Sequence, residues 1–244
     1  MKHLFCPLLP KDPLRPPVLA LAAHPDDEVI GAGGLLAWHA QQGHPVHVVH
    51  MTDGAQGDPQ HKEDDIRAVR RAEGVEALRR LGVGAPEHWD LPDGALPEHL
   101  DEIERRLRAL FLRVRPATLY TFWFGEAHRD HRAVSIGAMR AAGALPPDCR
   151  CLMFGVNAFP AGGTLFDTTA QWPTKRHALE AYRSQIVYFD LPGLGDHRDR
   201  TATINVDVPG VTYAELFADL RPDQLERAHA LAAPLQRLLL KDGE

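Results

Sequence analysis

Short apolar runs that alternate with segments of helical periodicity constrain this chain more than any other feature of its sequence. The run "PPVLALAAH" reads as a buried strand, opened by prolines where a missing N–H does least harm. A helix follows over 28–42 and ends at Gly43, and "HPVHVVHMT" is a second strand. After the polar loop "DGAQGDPQHKE", a helix from about Asp64 to Leu81 is closed by Gly82. A short strand near "EHWDL" precedes a helix from about Glu98 to Arg115, and "ATLYTFWF" is another strand. The order βαβαβαβ predicts an α/β fold of the Rossmann-like, doubly wound kind, a mainly parallel sheet with helices on both faces.

Beyond a helix starting near His131 the pattern is less regular. "CRCLMFGVNAF" reads as a strand, "PTKRHALEAYRSQIVYF" as a helix, "LPGLGDHRDR" as a loop near the site and "TATINVDV" as a late strand. "DQLERAHALAAPLQRLLL" reads as a terminal helix, with Pro234 a candidate kink. No repeat or linker interrupts the chain, so residues 1–244 are expected to form one domain, with 1–16 an extended N-terminal segment.

A net charge of -6 argues against electrostatically driven nucleic-acid binding, which depends on clustered Lys and Arg. No stretch approaches the roughly 20 apolar residues of a membrane span, and prolines interrupt the apolar N-terminus where a secretory signal would need a continuous run. Three cysteines without a CxxC spacing form neither a disulfide framework nor a thiolate zinc site, and a cytoplasmic location fits best. The unusual count is 14 His, which directs attention to metal chemistry.

Two clusters stand where strands run into helices, the position at which open parallel sheets bind ligands. The first is "HPDDE", from His24 to Glu28, and the second is "FGEAHRDHRAV". Helix capping accounts for one or two acids of the first, but neither for His24 nor for a matching later cluster. The glycines of "GAGG" lie a turn too deep for a dinucleotide-binding turn, and acids stand where pyrophosphate would sit, so close helix–sheet packing is the better reading. Should the two strands be neighbours, His24, Asp26, Asp27, His128, Asp130 and His131 converge. Two His and one Asp with a position left for water make a plausible zinc site.

"AHPDDEVIGAGG" and "HRDHRAV" resemble the AHPDDE and HPDH motifs of the LmbE-like, or PIG-L, zinc-dependent de-N-acetylases. "MTDGAQGD", "RRAEGVEALRRLGV" and "ALEAYRSQ" resemble that family's T-D-G-x-x-G loop, R-x-x-E helix and late S-Q stretch. The resemblance implies an LmbE-like fold and removal of the N-acetyl group from an N-acetylglucosamine-type sugar conjugate. Carried over by residue, it implies His24, Asp27 and His131 as zinc ligands and Asp26 as general base. His128 would stabilise the oxyanion or protonate the leaving amine, oriented by Asp130, and Arg70 would contact substrate. Arg129 replaces the motif's proline, Glu126 stands where some relatives place a tyrosine, and Tyr182 stands where many have His. By the same resemblance, the partner is a small-molecule N-acetylated sugar conjugate and a homo-oligomer is expected.

An amide needs an activated water, a stabilised oxyanion and a proton for the departing nitrogen, and this set of residue types answers those needs. A His2Asp set suits Zn2+ and can also hold Fe2+ or Co2+. Asp53, after the second strand, is a candidate substrate contact or simply a turn residue. Trp123, Phe124 and Trp172 could stack on a sugar but are more simply packing. An amidase of the same scaffold acting on a larger acyl or thiol conjugate, and a non-catalytic metal-binding protein, are the alternatives.

Overall fold

The computed structural model describes residues 6–239. The apolar runs form strands because they are short and enclosed on both faces. β1 (Val18–Ala22) and β4 (Thr118–Phe122) are buried at every position, and β2 (Val46–Thr52) from Val48 onward. With β3 (Glu87–Leu91), β5 (Arg150–Phe154), β6 (Thr164–Asp167) and β7 (Ala214–Leu220), they make a seven-stranded sheet in the order β3-β2-β1-β4-β5-β7-β6. β1 to β5 run parallel, while β7 is antiparallel to both β5 and β6. This is the expected mainly parallel α/β sheet.

The connections are α1 (Asp27–Gln41), α2 (Ile66–Leu81), α3 (Leu100–Val114), α4 (Arg129–Ala141), α5 (Trp172–Leu179), α6 (Arg183–Ile186) and α7 (Leu191–Thr201), and α8 (Pro222–Leu239) follows the last strand. They pack in two groups, α1 with α2 and α5, and α3 with α4 and α8. Gly31 of α1 faces Phe154 of β5 so closely that a Cβ would lie 2.1 Å from the ring, which accounts for the glycines as packing residues.

The chain leaves β1 for β2 and β3 on one side and returns to β4 and β5 on the other. β1 and β4 are direct neighbours, with Val18, Leu19 and Ala20 opposite Thr118, Leu119 and Tyr120. Their carboxyl ends therefore form the switch point of the sheet, and both histidine-acid clusters sit there.

Four readings of the C-terminal half change. "LPGLGDHRDR" is helix α7 rather than a loop: Asp190 accepts from Gly193 N at 2.9 Å and Pro192 sits in the first turn. "TATINVDV" is not a strand but the end of α7 and the turns after it, and the strand is β7 instead. The helix expected over "PTKRHALEAYRSQIVYF" breaks into α5 and α6. β6 appears where no element was expected; Leu8 from the N-terminal segment bridges to it at Leu165, and residues 1–5 of that segment lie outside the described residues. Cys149 and Cys151 are buried and unpaired, and Cys6 is also free. Among the described residues no helix is long and apolar enough to cross a membrane.

Candidate active site

β1 ends in a short loop whose last residue, Asp26, is the N-cap position of α1. Its side chain makes no capping bond, and its backbone holds φ 129. A non-glycine residue there costs about 1–3 kcal/mol and persists only where its surroundings impose it. The carboxylate is used elsewhere: Oδ2 accepts from Arg70 Nη2 at 3.2 Å. Asp27, the first helical residue, turns back on the loop and accepts from His24 N at 2.7 Å. Its two oxygens lie 3.2 Å from His24 Nδ1 and 3.1 Å from His131 Nε2.

The second cluster is built on α4, which starts at Arg129, two residues before the expected start, so that Asp130 and His131 share its first turn. His128 is the N-cap, its Nδ1 accepting from Asp130 N at 3.2 Å. The Asp130 side chain does not reach back to His128. It accepts from Gly94 N at 2.7 Å and Leu96 N at 3.1 Å in the loop before α3, and lies 3.2 Å from His24 Nε2. His131 stacks on Phe122 at the end of β4, with ring centroids 4.3 Å apart, and its Nδ1 is 2.7 Å from Glu126.

Arg70 comes from α2 and is buried. Its Nη2 donates to Pro25 O at 3.0 Å as well as to Asp26, and Nη1 stands 4.0 Å from Asp93. The loop after β2 is shaped around it: a Cβ on Gly57 would lie 2.6 Å from Arg70 Nη1, and one on Gly54 would lie 3.1 Å from its Cδ. Glu73, one turn on, accepts from Ser184 N at 2.8 Å and from its hydroxyl at 2.6 Å, while Gln185 donates to Gly57 O at 3.1 Å. The R-x-x-E and S-Q stretches are thus two halves of one clasp across the cavity wall.

Charge is distributed unevenly among these groups. Burial pushes Asp26 up to about 7, with Arg70 opposing it and Asp27 adding to it. Burial acts the same way on Asp27, but His131 and His24 outweigh it and hold that carboxyl well below the usual range. Burial disfavours the charged form of His24, yet hydrogen bonds to Asp130, Asp27 and Asp93 raise it well above an ordinary histidine. His128 is lowered by burial and by its neighbours His24 and His131. Adjacent carboxylates are thereby driven in opposite directions, one toward proton exchange near neutrality and one toward permanent charge.

These residues open on a cavity of about 290 Å³ lined by His24, Asp26, Asp27, Arg70, His128 and His131, together with Gln56, Asp93, Asn157, Gln185, Phe189 and Leu194. The donor set suits a divalent metal. His24 Nδ1 and His131 Nε2 both face Asp27, and the opposite nitrogen of each ring is held by a carboxylate, the arrangement that sets tautomer and orientation in metal-ligating histidines. His24, His128 and His131 also bring one nitrogen each within 4.8 Å of one another, as do His24, Asp93 and Asp130 with one ligand atom each. His128 Nδ1 accepts one backbone N–H, Asp130 accepts two, and Asp27 accepts one, from His24 N.

Of the expected site residues, His24, Asp26, Asp27, Arg70, His128, Asp130 and His131 come together. Asp53 does not line the cavity: it accepts from Ala55 N at 3.1 Å and pairs with Arg67 at 3.1 Å, the turn role. Trp123 and Phe124 pack on each other away from the cavity, and Trp172 stacks on Tyr213. Asp93, whose Oδ1 lies 2.9 Å from His24 Nε2, was not foreseen, because "LPDGAL" reads as an ordinary turn.

A sequence model of the PIG-L family, described as GlcNAc-PI de-N-acetylase, matches residues 19–142. A 1D-myo-inositol 2-acetamido-2-deoxy-alpha-D-glucopyranoside deacetylase of Mycolicibacterium smegmatis is 29% identical over 192 residues, covering 64% of this chain and 66% of the relative. A probable N-acetyl-alpha-D-glucosaminyl L-malate deacetylase 2 of Bacillus cereus is 28% identical over 146 residues, 57% of this chain and 66% of its own. The chain thus spans just under two thirds of the length of these two relatives. Among solved structures, the N,N'-diacetylchitobiose deacetylase of Pyrococcus horikoshii superposes with a TM-score of 0.73 at 23% identity, covering 84% of each chain.

Proposed function

Because this chain belongs to the PIG-L family of de-N-acetylases, we propose that it is a metal-dependent amide hydrolase that removes the N-acetyl group from an N-acetylglucosamine-type conjugate, working as one domain. The observation that carries the reading is the Asp27 carboxylate set between His24 Nδ1 and His131 Nε2, with each ring's other nitrogen tied to a carboxylate. His24, Asp27 and His131 would hold the metal, Zn2+ or a similar divalent ion. A metal so held supplies acidification of a water toward a pKa of about 7 and polarisation of the amide carbonyl.

The remaining chemistry belongs to the chain. Asp26, raised to about 7 by burial, suits a general base at neutral pH, and Arg70 holds its carboxylate in place. His128 accepts a backbone N–H at Nδ1, which leaves the proton of the neutral ring on Nε2. That favours its use as a hydrogen-bond donor to a developing oxyanion over its use as an imidazolium acid, and such a donor contributes about 3–4 kcal/mol. Asp130 and Asp93 orient His24.

The cavity also bears on the carrier of the sugar. Among the described residues, Arg70 is the one Lys or Arg in its lining, and it is already engaged by Asp26 and Pro25. An anionic carrier would find no uncommitted cation in that lining, whereas Gln56 and Asn157 offer amides to hydroxyls, and Phe189 and Leu194 are 47% and 38% exposed at the rim. We therefore read the carrier as uncharged.

Acetate and amine release from N-acetylglucosaminides, comparing zinc-loaded wild type with Asp26→Ala at equal metal content, tests the reading. Turnover that falls at least 100-fold in the variant while zinc stays bound is expected from loss of a general base. Zinc bound by the wild type without release of any amine would instead favour a site that only holds metal.

A further inference from the structure

Glu126 is left over by the chemistry above, yet it is among the most tightly held side chains near the site. It is fully buried in the loop between β4 and α4. A buried carboxylate is costly unless donors surround it, and here they come from two directions. On one side Oε2 lies 2.7 Å from His131 Nδ1. On the other, the backbone of the segment after β5 closes on it: Val156 N donates to Oε1 at 2.8 Å, Ala158 N at 2.9 Å, and Asn157 N to both oxygens at 3.1 Å.

The turn is tight enough to need Gly155, where a Cβ would lie 2.8 Å from Glu126 Oε1 and 1.6 Å from Ala158 O. Buried Arg198 of α7 braces the outer side, donating to Val156 O at 3.4 Å. Val156 and Asn157 line the cavity. One carboxylate therefore touches both a candidate metal ligand and the wall a substrate must pass.

We propose that Glu126 is a positioning residue that orders His131 and the Val156–Ala158 wall as a single unit, so that metal retention and substrate fit are set together. The proposal rests on the reading of His131 as a metal ligand. Its chemical basis is that an ionised carboxylate only accepts, at two oxygens, and four donors converge here. Glutamine has one accepting oxygen. If its amide NH2 faced His131 Nδ1, that nitrogen would have to accept, and the ring proton would move to Nε2, the atom that must be bare to bind metal. If the NH2 faced the segment instead, it would meet backbone N–H groups donor to donor. Aspartate has the right charge but is one methylene shorter, so it reaches one side only.

The test measures zinc affinity by competition with a chromophoric chelator in wild type, Glu126→Gln, Glu126→Asp and His131→Ala. It adds KM and kcat at saturating zinc and hydrogen exchange at the 156–158 amides. We expect Glu126→Gln to bind zinc about 10–100-fold more weakly. With zinc saturating, its KM should still be several-fold higher than that of wild type, and the three amides should exchange faster. Glu126→Asp should recover either the zinc affinity or the amide protection, not both, and it serves as the probe should the glutamine variant not fold. Zinc affinity of Glu126→Gln within twofold of wild type, while His131→Ala loses zinc, overturns the proposal and leaves the metal reading intact. Loss of zinc with unaltered KM and exchange overturns the coupling. If His131→Ala binds zinc like wild type, the metal reading fails and the proposal fails with it.

Discussion

Asp130 Oδ2 lies 3.2 Å from His24 Nε2, although 106 residues separate the two in sequence and His128 is only two residues away. The acid of the second cluster thus steadies the imidazole of the first. Its remaining acceptor capacity goes to the amides of Gly94 and Leu96, which stiffens the contact.

Asp130→Ala should accordingly weaken zinc binding about 10–100-fold, the usual cost of removing a carboxylate behind a ligating histidine. Equilibrium competition with a chelator measures it. An unchanged zinc affinity with reduced kcat would return Asp130 to the role of orienting His128.

Gly57→Ala should act through Arg70. The added Cβ would lie 2.6 Å from the flexible end of that side chain, so the guanidinium moves while the backbone stays. Both Gly57→Ala and Arg70→Lys are expected to lower kcat/KM roughly tenfold, about 1.4 kcal/mol, by releasing Asp26. Steady-state kinetics of the two variants and of their combination checks this: if they act on one contact, the double variant is little worse than either alone.

Away from the cavity, Lys175 is fully buried and donates to Asp199 at 2.8 Å and Glu215 at 2.7 Å. Glu215 in turn accepts from Gly34 N and Leu35 N inside α1 at 2.7 and 2.9 Å. Lys175→Met strands two buried carboxylates and should destabilise the fold by about 3–5 kcal/mol in denaturant unfolding. A loss under 1 kcal/mol would mean that the carboxylates find other partners.

The same cluster sets a pH dependence. Burial raises Asp199 to about 7 from 3.8, against the pull of Lys175. The native state then binds a proton that the unfolded chain has released, so this residue's contribution is full below about pH 4 and is lost as pH rises toward 7. Asp199→Asn removes that dependence. Relative to wild type, the variant should gain stability between pH 5 and pH 8 in urea unfolding, and an equal difference at both pH values would contradict the assignment.

Substrate discrimination follows from the engaged Arg70. Zinc-loaded protein should hydrolyse an uncharged N-acetylglucosaminide at least tenfold more efficiently, in kcat/KM, than the same sugar carrying a dicarboxylate. A preference for the charged conjugate would show that a cation beyond the cavity lining takes part.

Much of the candidate site was legible because it lies where patterning is strongest. β1 is an uninterrupted apolar run and β4 is broken only by threonines, each is followed by a helix, and the His and Asp residues stand in the short loops and first helical turns that follow. β7 was missed because "AELFADL" carries acids at positions that look exposed, yet Glu215 is buried against Lys175 and α1. "TATINVDV" drew the strand reading from its β-branched residues, and no neighbouring strand awaited it. α7 was read as a loop because proline and two glycines weigh against helix, an inference that tertiary contacts of Arg198 and Asp199 override. Asp93 and the double role of Glu126 depend on partners from distant segments, which spacing along the chain does not reveal.

The direct pairing of β1 with β4 also has a kinetic meaning. The two halves of the candidate metal site come from residues 24–27 and 126–131, and they meet only once strands about a hundred residues apart have zipped together. Forming that contact closes a long loop and is entropically slow. Tight metal capture would thus report on the most non-local step in folding, and a refolding chain should gain most of its helical signal before it gains its ion.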